Sequence, residues 1–287
     1  MIRGGFAVLA AGLGIALAAA ALPAKAQSAV AGTPIVIGQS FIIESGVMGG
    51  PREINVWLPP SYGEGGQAYP VVYLLDGGQA QDFHHISGLA QLGTVNGTTR
   101  DVIVVGVASK DRRNELAFRA RTDASLVADY PTHGQSDRFR RFLSDEVMPF
   151  VNAAYRTDGD DAVIGESLAG LFVMETFLRQ PELFDRYISI SPSLWWDNGA
   201  LVDEAPALVE AQAYFPEDAP HERVLWHGLS NEGEGMEVLN NRLNDALRTP
   251  RGFVWITSYR DESHATIYHP AALDALRAQY RRPTPTP

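Results

Sequence analysis

Two hydrophobic patterns alternate along most of the chain. One is the short unbroken apolar run, seen in "YPVVYLLDGG" and "DVIVVGVAS". Strands covered by helices on both faces read this way, so these runs predict a parallel sheet interior. "RYISISPSLWWDN", "RVLWHGL" and "GFVWITSY" read as further strands, with Val163-Ile164 as a short one. Near the start, "TPIVIGQSFIIES" and "REINVWLP" predict an antiparallel pair at a sheet edge. The other pattern spaces apolar residues by three or four, as an amphipathic helix requires. It appears in "SDRFRRFLSDEVMPFVNAAY", with Ser136 or Asp137 as its N-cap, in "LAGLFVMETFLRQ", "EAPALVEAQAYF" and "GMEVLNNRLNDAL", and finally in "AALDALRAQYRR". Strand and helix therefore take turns, which predicts one doubly wound α/β domain with right-handed crossovers. "KDRRNELAFRARTDASLVADYPTHGQ" fits neither pattern and reads as a long polar surface excursion.

The first residues, "MIRGGFAVLAAGLGIALAAAALPAKAQ", depart from both patterns. One early Arg3, an Ala- and Leu-rich run, a breaker at Pro23 and a small-x-small site at Ala24-Lys25-Ala26 predict a cleaved secretory signal over 1–26. A retained anchor is the alternative, because the run approaches spanning length. The signal reading makes the protein exported, periplasmic or secreted, with a single mature domain over 27–282 and a disordered tail at 283–287.

Composition narrows the partners. At 287 residues, 45% hydrophobic and 20% charged, the chain can bury a sizeable core. Its formal net charge of -11 opposes binding to nucleic acid and to anionic membranes, leaving a small molecule as the expected partner. There is no cysteine, hence no disulfide, thiolate metal site, thiol nucleophile or lipid attachment.

Candidate chemistry centres on "VIGESLAGLF". A serine at a sharp strand-to-helix turn has strained dihedrals, so the residues two before and two after it must be small. Here they are Gly165 and Ala169 around Ser167, a variant of G-x-S-x-G with Gly170 next in line. The other G-x-S triplets, at Gly38, Gly134 and Gly228, have Ile42, Arg138 and Glu232 where the second small residue belongs. The new helix would aim its free N–H groups at a developing oxyanion, making Leu168 the first donor. The loop in "LLDGGQ" offers Gly78 as the second, with Gln79 beside it.

A serine hydroxyl needs a base. His264, on the polar loop between the last strand and the last helix, is where such a fold brings its imidazole over the elbow, and His269 is the second choice. His84, His85, His133 and His221 lie in settings typical of surface histidine, while His227 ends a strand and could line a pocket. In the chain order Ser, acid, His, the acid is Glu232 first, with Glu234 and Asp197 as alternatives. Acyl transfer of this kind calls for no metal and no organic cofactor. Trp195, Trp196 and Phe83 are candidate walls of an aromatic pocket, one Trp being as readily core. Arg112, with Arg113, Arg119 and Arg121, is a candidate receiver of an anionic substrate.

"YPVVYLLDGG", "FRRFLSDEVMPFVNAAYRT", "VIGESLAGLF", "PELFDRYISISPSLWWDN" and "ESHAT", in that order, resemble the putative esterase family of the α/β-hydrolase superfamily. That group includes enterobactin and salmochelin-type siderophore esterases, feruloyl and acetylxylan esterases, S-formylglutathione hydrolase and mycolyl transferases. The resemblance runs from about Asn55 onward and is strongest on the siderophore-esterase side. It implies an α/β-hydrolase fold with a mostly parallel sheet, helices on both faces and no large separate cap domain. It also implies a serine esterase acting on a small-molecule ester, possible substrates being a catecholate trilactone or a feruloyl or acetyl polysaccharide ester, with acyl transfer and a non-catalytic binding role as alternatives. Two departures stand out: the acid loop reads Gly-Leu-Ser-Asn-Glu rather than Gly-x-x-Glu, and Gly78 stands where siderophore enzymes often carry a polar residue.

Overall fold

The computed structural model describes residues 32–211, 223–248 and 253–282. The expected signal at 1–26, the tail at 283–287 and His221 lie outside the described residues. From Ile37 onward the chain forms one compact unit.

The elements follow in chain order. An opening hairpin, β1 (Gln39–Ser45) and β2 (Gly50–Trp57), leads to β3 (Tyr69–Leu75), α1 (Phe83–Val95) and β4 (Ile103–Val107). The polar excursion then carries two short helices, α2 (Arg112–Glu115) and α3 (Ala124–Asp129), before α4 (Ser136–Phe142) and α5 (Met148–Ala154), which a π-helical turn at Leu143–Val147 joins. Next come β5 (Thr157–Glu166), α6 (Leu168–Arg179), β6 (Arg186–Ile190) and α7 (Ala200–Ala211). β7 (Val224–Ser230), α8 (Glu234–Leu247), β8 (Phe253–Tyr259) and α9 (Tyr268–Gln279) complete the chain. The eight strands form one sheet in the order β1-β2-β4-β3-β5-β6-β7-β8. β1 pairs antiparallel with β2 and β2 with β4, and every later pairing is parallel.

The unbroken apolar runs have the expected cause. Val71, Tyr73 and Leu75 of β3 join Val105, Val107 and Val163 in a core under α4, α5, α6, α7 and α8. Their neighbours Val72 and Leu74 face the other way, with Val104, Ala162 and Ile164, under α1 and α9. Both faces of the central strands are therefore dry, and each strand residue needs an apolar side chain.

Four elements differ from the expectation. α1 was not foreseen, although Phe83, Ile86, Leu89 and Ala90 form its buried stripe; Gly88 and Gly93 dilute the helical pattern. β5 begins six residues before Val163, through a Thr-Asp-Gly-Asp-Asp stretch of low strand propensity. Pairing with β3 and the ion pairs of Asp160 with Arg100 (2.9 Å) and Arg186 (2.6 Å) override that propensity. β6 ends at Ile190, so "SPSLWWDN" is loop and a 3-10 turn rather than strand. At the start of α4, Gln135 is the N-cap and neither Ser136 nor Asp137 caps the helix.

The excursion is pinned near its start and at its middle. Arg52 on β2 makes a buried two-pronged ion pair with Glu115 (2.7 and 2.8 Å). Asp197 accepts the backbone N–H groups of Arg121 (2.9 Å), Thr122 (2.7 Å) and Asp123 (2.8 Å).

Candidate active site

β5 delivers Ser167 to the C-terminal edge of the sheet, and α6 begins at the next residue. Ser167 has φ 63° and ψ -119°, a strained conformation for a residue with a Cβ. The corner is tight enough that a Cβ on Gly165 would come within 2.6 Å of both the carbonyl carbon and the Cβ of Ala169. The hydroxyl stays half-exposed at the turn. Leu168 opens α6, whose first-turn N–H groups have no intrahelical acceptor.

His264 stands over this corner. Its Nε2 is 2.9 Å from Ser167 Oγ, and its Nδ1 is 3.2 Å from Glu232 Oε1. The same oxygen, Glu232 Oε1, also accepts from the hydroxyls of Ser230 (2.6 Å) and Ser191. Burial works to raise the Glu232 carboxyl, but hydrogen bonds from His264, Ser191 and Ser230 outweigh it and hold the group below its usual range. The hydrogen bond to Glu232 leads the effects that raise the His264 imidazole above its ordinary value, against the opposing effect of burial.

Four contacting residues were not foreseen, Ser230 among them. Ser191, at φ 41° just past β6, touches Glu232 and also lies 3.2 Å from His264 Nδ1. Ser193 Oγ is 3.3 Å from Ser167 Oγ. Glu166 Oε1 is 3.3 Å from His264 Nε2. Glu166 lies in "VIGESLAGLF", and Ser191 and Ser193 in "SPSLWWDN"; both stretches carry the family resemblance, but neither pattern singles these residues out.

The other candidates fall into place differently. Gly78 N–H donates to the Gln81 side chain (2.9 Å) and Gln79 N–H to Glu53 (2.9 Å), so a substrate oxygen at Gly78 must displace Gln81. Gly77 lets this loop lie against β4: a Cβ there would meet Gly106 Cα at 2.3 Å. Trp195, two residues beyond Ser193, is 45% exposed. Trp196 is instead fully buried, its indole N–H donating to Phe118 O (2.9 Å), and Phe83 packs into the core under α1; both are structural rather than pocket walls. Their size and apolarity suit a core as well as a pocket, and sequence alone does not separate the two. Arg112 is committed to Asp76 (2.8 Å).

Asp197 spends both carboxylate oxygens on the excursion, and Glu234 is exposed at the start of α8. Among the described residues, the carboxylates that meet His264 are those of Glu232 and Glu166. His269 pairs with His85 (3.1 Å) rather than with Ser167. His227 is fully buried, bonded to Asn244 (3.1 Å) and pushed down to about 4 by burial, so it belongs to the core and lines no pocket. His133, expected at the surface, is buried beside Trp196.

A family profile described as "Putative esterase" matches residues 45–239, most of the chain. The chain belongs to this esterase family. Among its curated relatives are a siderophore enterobactin esterase of Emericella nidulans, 28% identical over 204 residues, and a ferri-bacillibactin esterase of Bacillus subtilis, 30% identical over 198 residues. The alignments cover 61% and 63% of this chain, and 64% of the length of each relative. Among solved structures, an IroE-like serine hydrolase from Shewanella oneidensis superposes with a TM-score of 0.74 at 27% identity, over 85% of this chain and 80% of that one. A siderophore hydrolase of Aspergillus nidulans matches with the same TM-score, 0.74, at 19% identity, over 90% of this chain and all of that one. The fold is the α/β-hydrolase fold.

Proposed function

We propose that this family member is an exported serine esterase that hydrolyses a small-molecule carboxylic ester, with a siderophore lactone as the substrate class. The observation that carries the reading is the hydrogen-bonded line from Ser167 Oγ through His264 (2.9 Å) to Glu232 (3.2 Å). In this reading His264 Nε2 takes the Ser167 proton as Oγ attacks the ester carbonyl. Glu232 keeps Nδ1 protonated and steadies the imidazolium. The N–H of Leu168, at the positive end of α6, receives the oxyanion, joined by Gly78 N–H once Gln81 gives way. His264 then protonates the leaving alcohol, activates water and releases the acid. The siderophore class draws on the enterobactin and bacillibactin esterases among the relatives, and half-exposed Trp195 offers a flat apolar surface for a catecholate ring. Export rests on the amino-terminal pattern described above.

The test is a screen of the protein and its Ser167→Ala variant against p-nitrophenyl acetate, a feruloyl ester and a catecholate trilactone. Turnover of the trilactone that exceeds the other two and disappears in the variant supports the reading. Equal rates in both proteins overturn it.

A further inference from the structure

Glu166 fills the variable position of the elbow, between Gly165 and Ser167, and the mechanism above leaves it without a task. Its Oε1 lies 3.3 Å from the same His264 nitrogen, Nε2, that holds Ser167 Oγ at 2.9 Å. Nε2 presents either a lone pair or a hydrogen. With the lone pair it can accept the serine proton. With the hydrogen it faces a hydroxyl on one side and a carboxyl on the other, and an ionised carboxylate is the stronger acceptor.

Charged and titratable groups from several elements act on this pair. Arg112, from α2, acts on Glu166 from a position already committed to Asp76 at 2.8 Å. Asp82, from the turn before α1, and Glu232, from the loop after β7, oppose a charge on Glu166. Tyr268 of α9 lies within electrostatic range of Glu166, Asp82 and Asp76. Burial is the largest influence and pushes the Glu166 carboxyl up to about 7, while His264 and Arg112 pull it down. The imidazole is itself raised, chiefly by Glu232 and then by Glu166. Two titratable groups in contact at this separation give up their protons as a pair.

We propose that Glu166 is a further catalytic residue: it shares one proton with His264 Nε2 and, when ionised, holds the base as an imidazolium that cannot accept from Ser167. The inference rests on the esterase reading for its consequence, not for its geometry. In the exchange the Nε2–H bond breaks as the Oε1–H bond forms. An ionised Glu166 and a cationic His264 become a neutral acid and a neutral base, with no change in net charge and no co-reactant. An ester seated over Ser167 removes water from the ion pair, which favours the neutral arrangement and frees Nε2. Glu166 thereby sets the lower pH limit of activity.

The experiment compares pH profiles of kcat/KM for p-nitrophenyl acetate in the wild type and E166Q, each normalised to its own plateau. It is paired with an NMR titration of the His264 ring in S167A and S167A/E166Q. The acid limb and the ring titration should both move to lower pH without Glu166. At about pH 6, E166Q should keep roughly threefold or more of the plateau fraction that the wild type keeps. Unmoved ring titration overturns the proposal. If no protein turns over the ester, the esterase reading fails while the NMR titration still decides the shared proton. Should E166Q fail to fold, E166D, which withdraws the charge by one methylene, must move the ring titration in the same direction by less; no movement there also overturns it.

Discussion

Gly165 and Ala169 lie so close across the elbow that a Cβ on the glycine would sit 2.6 Å from the alanine methyl and 2.6 Å from its carbonyl carbon. Ala169 therefore uses the space that Gly165 leaves, and Gly165→Ala should open the corner. The expected cost is about 1–3 kcal/mol of stability, with ester turnover lost. Because two of the three nearest atoms belong to the Ala169 backbone, adding Ala169→Gly should not restore the double variant. Thermal melts and a p-nitrophenyl acetate assay of the single and double variants check this, and full rescue would show that methyl contact alone sets the limit.

Glu232 and Asp197 carry different duties. Glu232→Gln should lower kcat by roughly 10²–10⁴ with little change in melting temperature, since it leaves His264 with the wrong partner at Nδ1. Asp197→Asn should do the reverse, because this carboxylate accepts three backbone N–H groups that hold the excursion. Steady-state kinetics beside thermal melts separate the two, and a larger kcat loss in Asp197→Asn would move the acid one strand earlier.

Ser191 touches both Glu232 and His264, which makes it a positioning residue in the proposed triad. Ser191→Ala should lower kcat by roughly tenfold or more at near-constant KM, since a small misplacement of imidazole is costly. Glu232 would also lose one of the donors that keep it ionised, so the acid limb of the kcat profile should change shape. A change confined to melting temperature would make Ser191 merely structural.

Far from the elbow, Asp161 at the sheet interior gives a stability prediction. Burial, then Asp185, Asp160 and Asp158, push its carboxyl up to about 7 from an ordinary 3.8. A raised folded value means that protonated Asp161 favours the fold: its contribution is full below about 4 and fades as pH climbs to about 7. Asp161→Asn should therefore stabilise the protein at pH 8, by up to a few kcal/mol, and change little at pH 4. Urea unfolding at both pH values measures this, and equal effects at both would refute it.

How far the sequence could be read depended on what each signal measures. Sterics are local, so Gly165, Ser167 and Ala169 announced a corner from three positions alone. Apolar runs likewise announced β3 and β4, whose two faces are both covered. His264 and Glu232 were legible as loop residues in a workable chain order. Phe83 and His227 were misread, and the choice between Trp195 and Trp196 was left open, because a ring serves a core or a cleft equally well and only packing decides. Glu166 and Ser191 escaped notice for another reason. One fills a position that the elbow leaves sterically free, and the other acquires its partners from β7 and the loop before α9 through a backbone turn at φ 41°.

The central claim, a reactive hydroxyl at Ser167, is tested most directly by covalent labelling with a fluorophosphonate followed by peptide mass spectrometry. The account predicts one adduct per chain, on Ser167, formed at a rate that falls sharply in His264→Gln and absent in Ser167→Ala. An adduct on another residue, or labelling of Ser167→Ala at the wild-type rate, would contradict it.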